Sequence, residues 1–161
     1  MVRRDGDFER VLLPHARSLL RFAIRLTGNS FQAEDLVQEA LLLAWRGFGQ
    51  FELGTNAHAW LFRILMNVFR QQKRKGRSSL ATEPLAHAVQ AAQPSSHESV
   101  EVMQAFDRLS SDQRTVLLLA IVEGFTCREV SEILDVPIGT VMSRLSRARE
   151  VMRELLSEVV R

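Results

Sequence analysis

TCREVSEILDVPIGTVMSRLSRAR, residues 126–149, is the stretch that decides the fold of this chain. Thr126 followed three residues later by Glu129 is a capping box, which satisfies the free N–H groups at the start of a helix. The apolar residues that follow end at Leu134. Asp135 and Val136 then turn the chain, and Pro137 suits the first position of a second helix. A short capped helix, a tight turn and a longer helix make a helix-turn-helix. Val130, Ile133, Leu134 and Val136 are expected to face inward, with Ile138, Val141, Met142 and Leu145 as the apolar stripe of the second helix. Its other face carries Thr140, Ser143, Arg144, Ser146 and Arg147. These side chains are short and polar or able to form paired hydrogen bonds, which suits phosphates and the base edges of a major groove. No acidic residue occurs from Pro137 to Arg149. An ordinary helical hairpin with a solvated face has the same periodicity, but neither needs an acid-free basic face behind two caps.

Upstream, Ser110 and Gln113 form another capping box, opening a helix that runs to Glu123 and stops at Gly124. A helix before it covers residues 97–109. Downstream, the final helix extends to about Val159. Residues 76–96 change to Ser, Ala, Gln, Thr and two prolines; residues 85–92 could form a short helix, but the stretch reads as a flexible linker.

The first half is also helical. Residues 7–26 read as one helix with a kink or a late start at Pro14, ended by Thr27-Gly28. Asn29 or Ser30 caps the next helix, whose apolar residues Ala33, Leu36, Val37, Ala40, Leu41 and Ala44 alternate by three and four. Asp35, Gln38 and Glu39 point away from that stripe. Residues 46–54 hold three glycines and two phenylalanines and read as a loop. A third helix begins near Asn56 and ends in a basic run at Arg70, Lys73, Arg74 and Lys75, where cations suit the helix dipole. The fold class is therefore all-α, in two small helical domains: 1–76 and 97–161, joined by a linker over 77–96.

Composition narrows the function. Cys127 is the only cysteine, so no internal disulfide and no all-cysteine metal site can form; directly after the cap, it reads as a packed thiol. The usage suits a reducing cytoplasm, no secretory signal opens the chain, and no apolar run is long enough to span a membrane. Residues 1–75 carry 12 Lys/Arg against 7 Asp/Glu, and residues 97–161 carry 8 against 11. Within the acidic half, Arg144, Arg147 and Arg149 gather on one element, as in a nucleic-acid reader. His15, His58, His87 and His97 are far apart in sequence, which argues against a metal site. No Gly-rich phosphate loop and no nucleophile with a neighbouring base is present. No catalytic residue, metal or cofactor is expected.

GTVMSRLSRARE resembles the recognition helix of the fourth-region domain of extracytoplasmic-function sigma factors, of the sigma-70 family, whose usual form is GTV-x-SR-x-x-RAR. AEDLVQEALLLAW resembles the family's second-region helix, and GTNAHAWLFRILMNVFRQQKRK the helix that follows it. The matches lie in the right order and cover nearly the whole chain outside the linker. The resemblance implies a promoter-recognition subunit of bacterial RNA polymerase. It assigns Asp35, Gln38 and Glu39 to the coiled-coil clamp of the core enzyme, where a carboxylate face pairs with basic residues. Asn67, Arg70, Gln71 and Arg74, with Asn56 and the loop over 48–56, are assigned to a flipped, single-stranded base of the minus-ten element. Thr140, Ser143, Arg144, Ser146 and Arg147 are assigned to the minus-thirty-five element. Trp60, among Leu61, Ile64 and Leu65, reads as core rather than as a stacking platform. Unlike primary sigma factors, the chain lacks extra duplex-opening aromatics and a domain between the two, so strand opening should require a near-ideal promoter.

LPHARSLLRFAIRLTGNSFQAEDLVQE with FELGTNAHAWLF is similar to the general-stress-response subgroup. Its members are held inactive by a small helical anti-sigma protein, released when a response regulator with a sigma-like domain captures the inhibitor. Two other readings remain at this point. A stand-alone helix-turn-helix regulator would need neither the face at Asp35 to Glu39 nor the polar track from Asn67 to Arg74. A sigma-like decoy for an anti-sigma factor would have a degraded recognition helix.

Overall fold

Pro14 breaks what the sequence presents as one helix. Its nitrogen carries no hydrogen for the helical ladder, and its ring crowds the carbonyl four residues back. α1 (Val2–Leu12) therefore gives way to a 3-10 turn over Leu13–His15, and α2 (Ala16–Thr27) follows with the backbone right-handed helical through Leu12, His15 and Ala16, an interruption of the ladder at the position of the expected kink. The computed structural model of the protein describes residues 2–78 and 97–159. The chain divides into two units, Met1–Val89 and Gln90–Arg161. The expected linker, with its possible short helix at residues 85–92, lies outside the described residues apart from its first two positions, which end α4.

In the first unit α2 stops where Gly28 takes φ 69°, and its N–H donates to the Ile24 carbonyl at 2.8 Å. Asn29 caps α3 (Ser30–Gly47) by accepting the Gln32 N–H at 3.1 Å. Ala33, Leu36, Val37, Ala40 and Ala44 are buried, while Leu41 is half-buried. α3 is the middle element: α2 and α4 (Ala57–Ser78) both pack on it. The three alanines let the neighbouring helices come close. Phe22, Leu61, Phe62 and Leu65 fill the core beside them, with Phe22 and Phe62 rings 5.1 Å apart.

The stretch expected to be a loop is helical over residues 46–50 and a loop from residue 51 onward. α3 runs on to Gly47, and Phe48–Gln50 form a 3-10 turn. Phe48 and Phe51 are buried, in a ring cluster with Phe8, Trp45 and Trp60 at centroid distances of 4.9–5.8 Å. Burying two phenylalanines outweighs the turn tendency of three glycines, at about 2 kcal/mol or more for each ring. Only Gly54, at φ 95°, uses a conformation that glycine alone favours.

The fold also joins two histidines that are 43 positions apart in the chain. His15 and His58 stack at 4.8 Å with an interplanar angle of 17°, and the Ser18 hydroxyl lies 3.5 Å from His58 Nε2. Burial lowers the His15 pKa below its ordinary 6.5. The unfolded chain then takes up this proton before the folded one does. Stability from this site is complete above the unfolded value and is lost as pH falls below about 6.5. Thermal unfolding followed by tryptophan fluorescence reports the first unit alone, since Trp45 and Trp60 are the only tryptophans. Its midpoint is expected to drop between pH 7.5 and 5, with a shallower drop in His15→Gln.

In the second unit α5 (His97–Asp107) is followed by α6 (Ser111–Leu117), whose capping box is complete. Gln113 N–H donates to Ser110 Oγ at 3.2 Å, and Ser110 N–H to Gln113 Oε1 at 3.1 Å. The helix continues as a π turn over Leu118–Val122, and Gly124 at φ 76° ends it. α7 (Cys127–Leu134) has the second capping box: Glu129 N–H to Thr126 Oγ1 at 3.2 Å, and Thr126 N–H to Glu129 Oε2 at 2.8 Å. Cys127 is half-buried. Asp135 caps α7 in the left-handed region at φ 52°, and Ser131 Oγ fixes the turn by donating to the Val136 carbonyl at 2.6 Å. α8 (Ile138–Val159) begins one residue after Pro137, whose carbonyl accepts the Thr140 and Val141 N–H groups. Pro137 thus caps the helix rather than opening it. Thr126→Ala removes one capping partner and is expected to cost the second unit about 1 kcal/mol, read as a lower denaturation midpoint by far-ultraviolet circular dichroism.

Val130, Ile133 and Leu134 of α7, Val141, Leu145 and Ala148 of α8, and Leu118, Leu119 and Phe125 are all buried, and α7 packs on α8. Three residues expected in that core are placed otherwise. Val136 is half-buried, and Ile138 and Met142 are exposed. The buried stripe of α8 is the narrow one at spacings of four and three; Ile138 and Met142 fall on its outer flank.

Candidate nucleic-acid interface

Three faces carry the residues that the sequence singles out. On α3, Asp35, Gln38 and Glu39 are all exposed, opposite the buried alanines. Glu39 accepts a hydrogen bond from Gln72 Nε2 at 2.9 Å, which ties this face to α4. Two apolar residues that sequence reasoning missed share the face: Phe31, 82% exposed, and Leu42, 48% exposed. The spacing 31, 35, 38, 42 was the signal, since residues at alternating intervals of four and three share one side of a helix. Such a stripe, apolar at its ends and acidic between, can meet another helix through both contact and charge.

On α4 the predicted minus-ten residues do not all converge. Asn67 and Gln71 are exposed and line a shallow groove of about 440 Å³, whose apolar wall is Trp60, Leu43 and Ile64. Gln50, from the 3-10 turn, lines it too. Arg74 is exposed and Arg70 half-buried further along α4, and neither lines the groove. Asn56 is outside it as well: its Oδ1 accepts the Ala59 N–H at 3.0 Å and so caps α4. Trp60, expected in the core, is half-buried. One side rests against Phe51 at 4.9 Å, and the other forms groove wall. The expected base-receiving loop contributes little open pocket, because Phe48 and Phe51 turn inward. What the arrangement offers is a flat aromatic and apolar surface edged by three side-chain amides, beside a basic helix end. That is the chemistry for stacking a base and hydrogen-bonding its edge.

On α8, Ser143, Ser146 and Arg147 are exposed and Thr140 is half-buried. Ser143 Oγ donates back to the Thr140 carbonyl at 3.1 Å. Arg144 departs from the expected face. Its Nη2 is 2.8 Å from Asp112 Oδ2 of α6, and the side chain is only 30% exposed. The reason is geometric: Arg144 lies toward the flank of α8 that packs on α6, where Asp112 stands in the first helical turn. The exposed centre of α8 is instead Gly139, Met142, Ser143, Ser146 and Arg147. Among the described residues no cluster of three or more metal-ligating side chains occurs, and no helix is long and apolar enough to cross a membrane.

Both halves of the chain match known proteins. The family model for sigma-70 region 2 matches residues 12–79, and that for sigma-70 region 4 matches residues 99–152. The chain is 39% identical over 149 residues to the ECF RNA polymerase sigma factor EcfG of Rhodopseudomonas palustris, covering 90% of this chain and 82% of the relative. It is 33% identical to the ECF RNA polymerase sigma factor SigL of Mycobacterium tuberculosis, over 90% of this chain and 86% of that one. Among solved structures it is similar to the sigma factor RpoE of Bartonella quintana, crystallised with the anti-sigma factor NepR. The TM-score is 0.74 at 38% identity, covering 94% of this chain and 97% of that one.

Proposed function

Because the chain belongs to the extracytoplasmic-function sigma factors of the sigma-70 family, we propose that it binds core RNA polymerase and directs it to promoters of a stress-response class. The observation that carries this reading is the pairing, in the family's order, of two helical units that each expose a distinct polar face on a capped, well-packed helix. Domain 1–76 holds core polymerase through Asp35, Gln38 and Glu39 and captures a minus-ten base at the groove of Trp60, Asn67 and Gln71. Arg70 and Arg74 extend the basic track for the strand beyond the groove, and Asn56 acts through its cap on the helix that carries them. Domain 97–161 reads the minus-thirty-five element with α8. The protein acts as an initiation factor and not as an enzyme, and it works in the cytoplasm alongside the polymerase.

The likeness to RpoE captured with NepR supports control by a small anti-sigma factor. Such an inhibitor would cover surfaces that core polymerase needs, so the two bind in competition. The decisive experiment mixes the purified chain with core polymerase on genomic DNA and sequences the transcript starts. Starts that share two spaced elements support the reading; starts identical to those of core polymerase alone reject it.

The segment 77–96 is proposed to tether the two domains without imposing geometry. Replacing residues 82–93 by a Gly/Ser segment of equal length should then preserve most promoter-directed transcription. Complete loss with both domains folded would give that segment a direct role in initiation.

A further inference from the structure

We propose that Met142 is a specificity-determining residue of α8, making van der Waals contact with the C5-methyl group of a thymine in the minus-thirty-five element. The inference rests on the reading of α8 as the helix that enters the major groove. Met142 is 56% exposed, while its helix neighbours Val141 and Leu145 are buried. More than half of its apolar side chain therefore stands in water, a poor environment for it. Long side chains on a helix lean toward the N-terminus, which lays Met142 over the turn that contains Gly139. A Cβ built on Gly139 would meet nothing within 4 Å, and Gly139 is not among the residues with positive φ. The fold does not require glycine there, although glycine weakens a helix. Its effect is to leave the tip of α8 bare, with Met142, more exposed than Ile138 at 45%, standing over it.

The chemistry of the target fits this placement. Thymine's methyl is the apolar group that a base pair presents in the major groove, and the other distinguishing groups there are hydrogen-bond donors and acceptors. Ser143, Ser146 and Arg147 beside Met142 supply hydrogen bonds. Arg144, the other long cation in this turn, is drawn aside to Asp112. Met142 supplies the apolar contact that those polar neighbours cannot make. Its unbranched thioether can adapt to a methyl group without demanding one fixed geometry.

The test uses holoenzyme and a promoter identified by transcript sequencing. Each thymine of the minus-thirty-five element, on both strands, is replaced singly by deoxyuridine, which removes only the methyl group. For the unaltered protein, promoter binding is expected to fall about fourfold at one position, the worth of burying a single methyl. Met142→Ala should bind the thymine promoter correspondingly less well and be indifferent to that replacement, while Met142→Leu should keep the sensitivity. An unaltered protein insensitive to every such replacement would overturn the proposal. So would sensitivity that persists in Met142→Ala, or that vanishes instead in Ile138→Ala. If scrambling the whole element has no effect on the unaltered protein, the fault lies with the reading of α8 itself.

Discussion

Changing Gln38 and Glu39 together to lysine is expected to weaken binding to core polymerase by tenfold or more, about 1.4 kcal/mol at least. Two positive charges replace a neutral amide and a carboxylate at the centre of an exposed face, where basic clamp residues would meet them as like charges. The lost bond from Gln72 to Glu39 is solvent-exposed, so removing it costs the fold little. Fluorescence titration with labelled core polymerase measures the effect, and circular dichroism checks that the helices persist. The weakening should shrink as salt rises, because exposed charges are screened. Phe31→Ala makes a contrasting variant. Its loss of contact area should weaken binding with little dependence on salt, since apolar burial carries no charge. Unchanged affinity in both variants would remove α3 from the polymerase interface.

Arg147→Ala is expected to cost minus-thirty-five recognition about 1–3 kcal/mol and to relax the preference at one base pair. Arg147 is exposed at the centre of the α8 face, with no acidic side chain holding it in the ion pairs seen. Arg144 should behave differently. Held by Asp112, it is placed to support a phosphate or the fold, so Arg144→Ala should weaken all promoter sequences alike. The pair is partly exposed, and its contribution to stability is under about 1 kcal/mol. Asp112→Ala separates these roles. Freeing Arg144 should raise affinity for unrelated DNA and steepen the salt dependence by about one counterion. Holoenzyme binding to promoter variants at several salt concentrations reads both quantities. If Arg147→Ala left every base preference intact while Arg144→Ala abolished one, the assignment of the two arginines would be reversed.

Local chemistry made most of the architecture legible from the sequence. Capping boxes at Ser110 and Thr126, the Asn29 cap, and the stops at Gly28 and Gly124 are short-range devices. Their hydrogen bonds join residues three to six apart, so the pattern contains the whole interaction. The alternating spacing of Ala33 to Ala44 likewise identified the buried side of α3, with only Leu41 less covered than expected. The exposure of Asp35, Gln38 and Glu39 followed from the same periodicity.

Tertiary packing decided what depends on a partner distant in the chain. Residues 46–54 carry glycines that locally favour a loop, yet with Phe48 and Phe51 buried against Phe8 and Trp60 helical structure continues as far as Gln50, and the loop is confined to residues 51–56. Ile138 and Met142 have the same local spacing as Val141 and Leu145. The directions from which α5, α6 and α7 pack on α8 make one pair core and leave the other to solvent. Arg144 and Arg147 are alike in sequence, and the carboxylate of Asp112, 32 positions earlier, draws one aside and leaves the other facing outward. The helices, most of their ends and the all-α class were readable along the chain, because those rest on contacts within a turn or two. Which side chains stand free to meet a base or another protein was settled by the fold, because exposure is a property of what the rest of the chain covers.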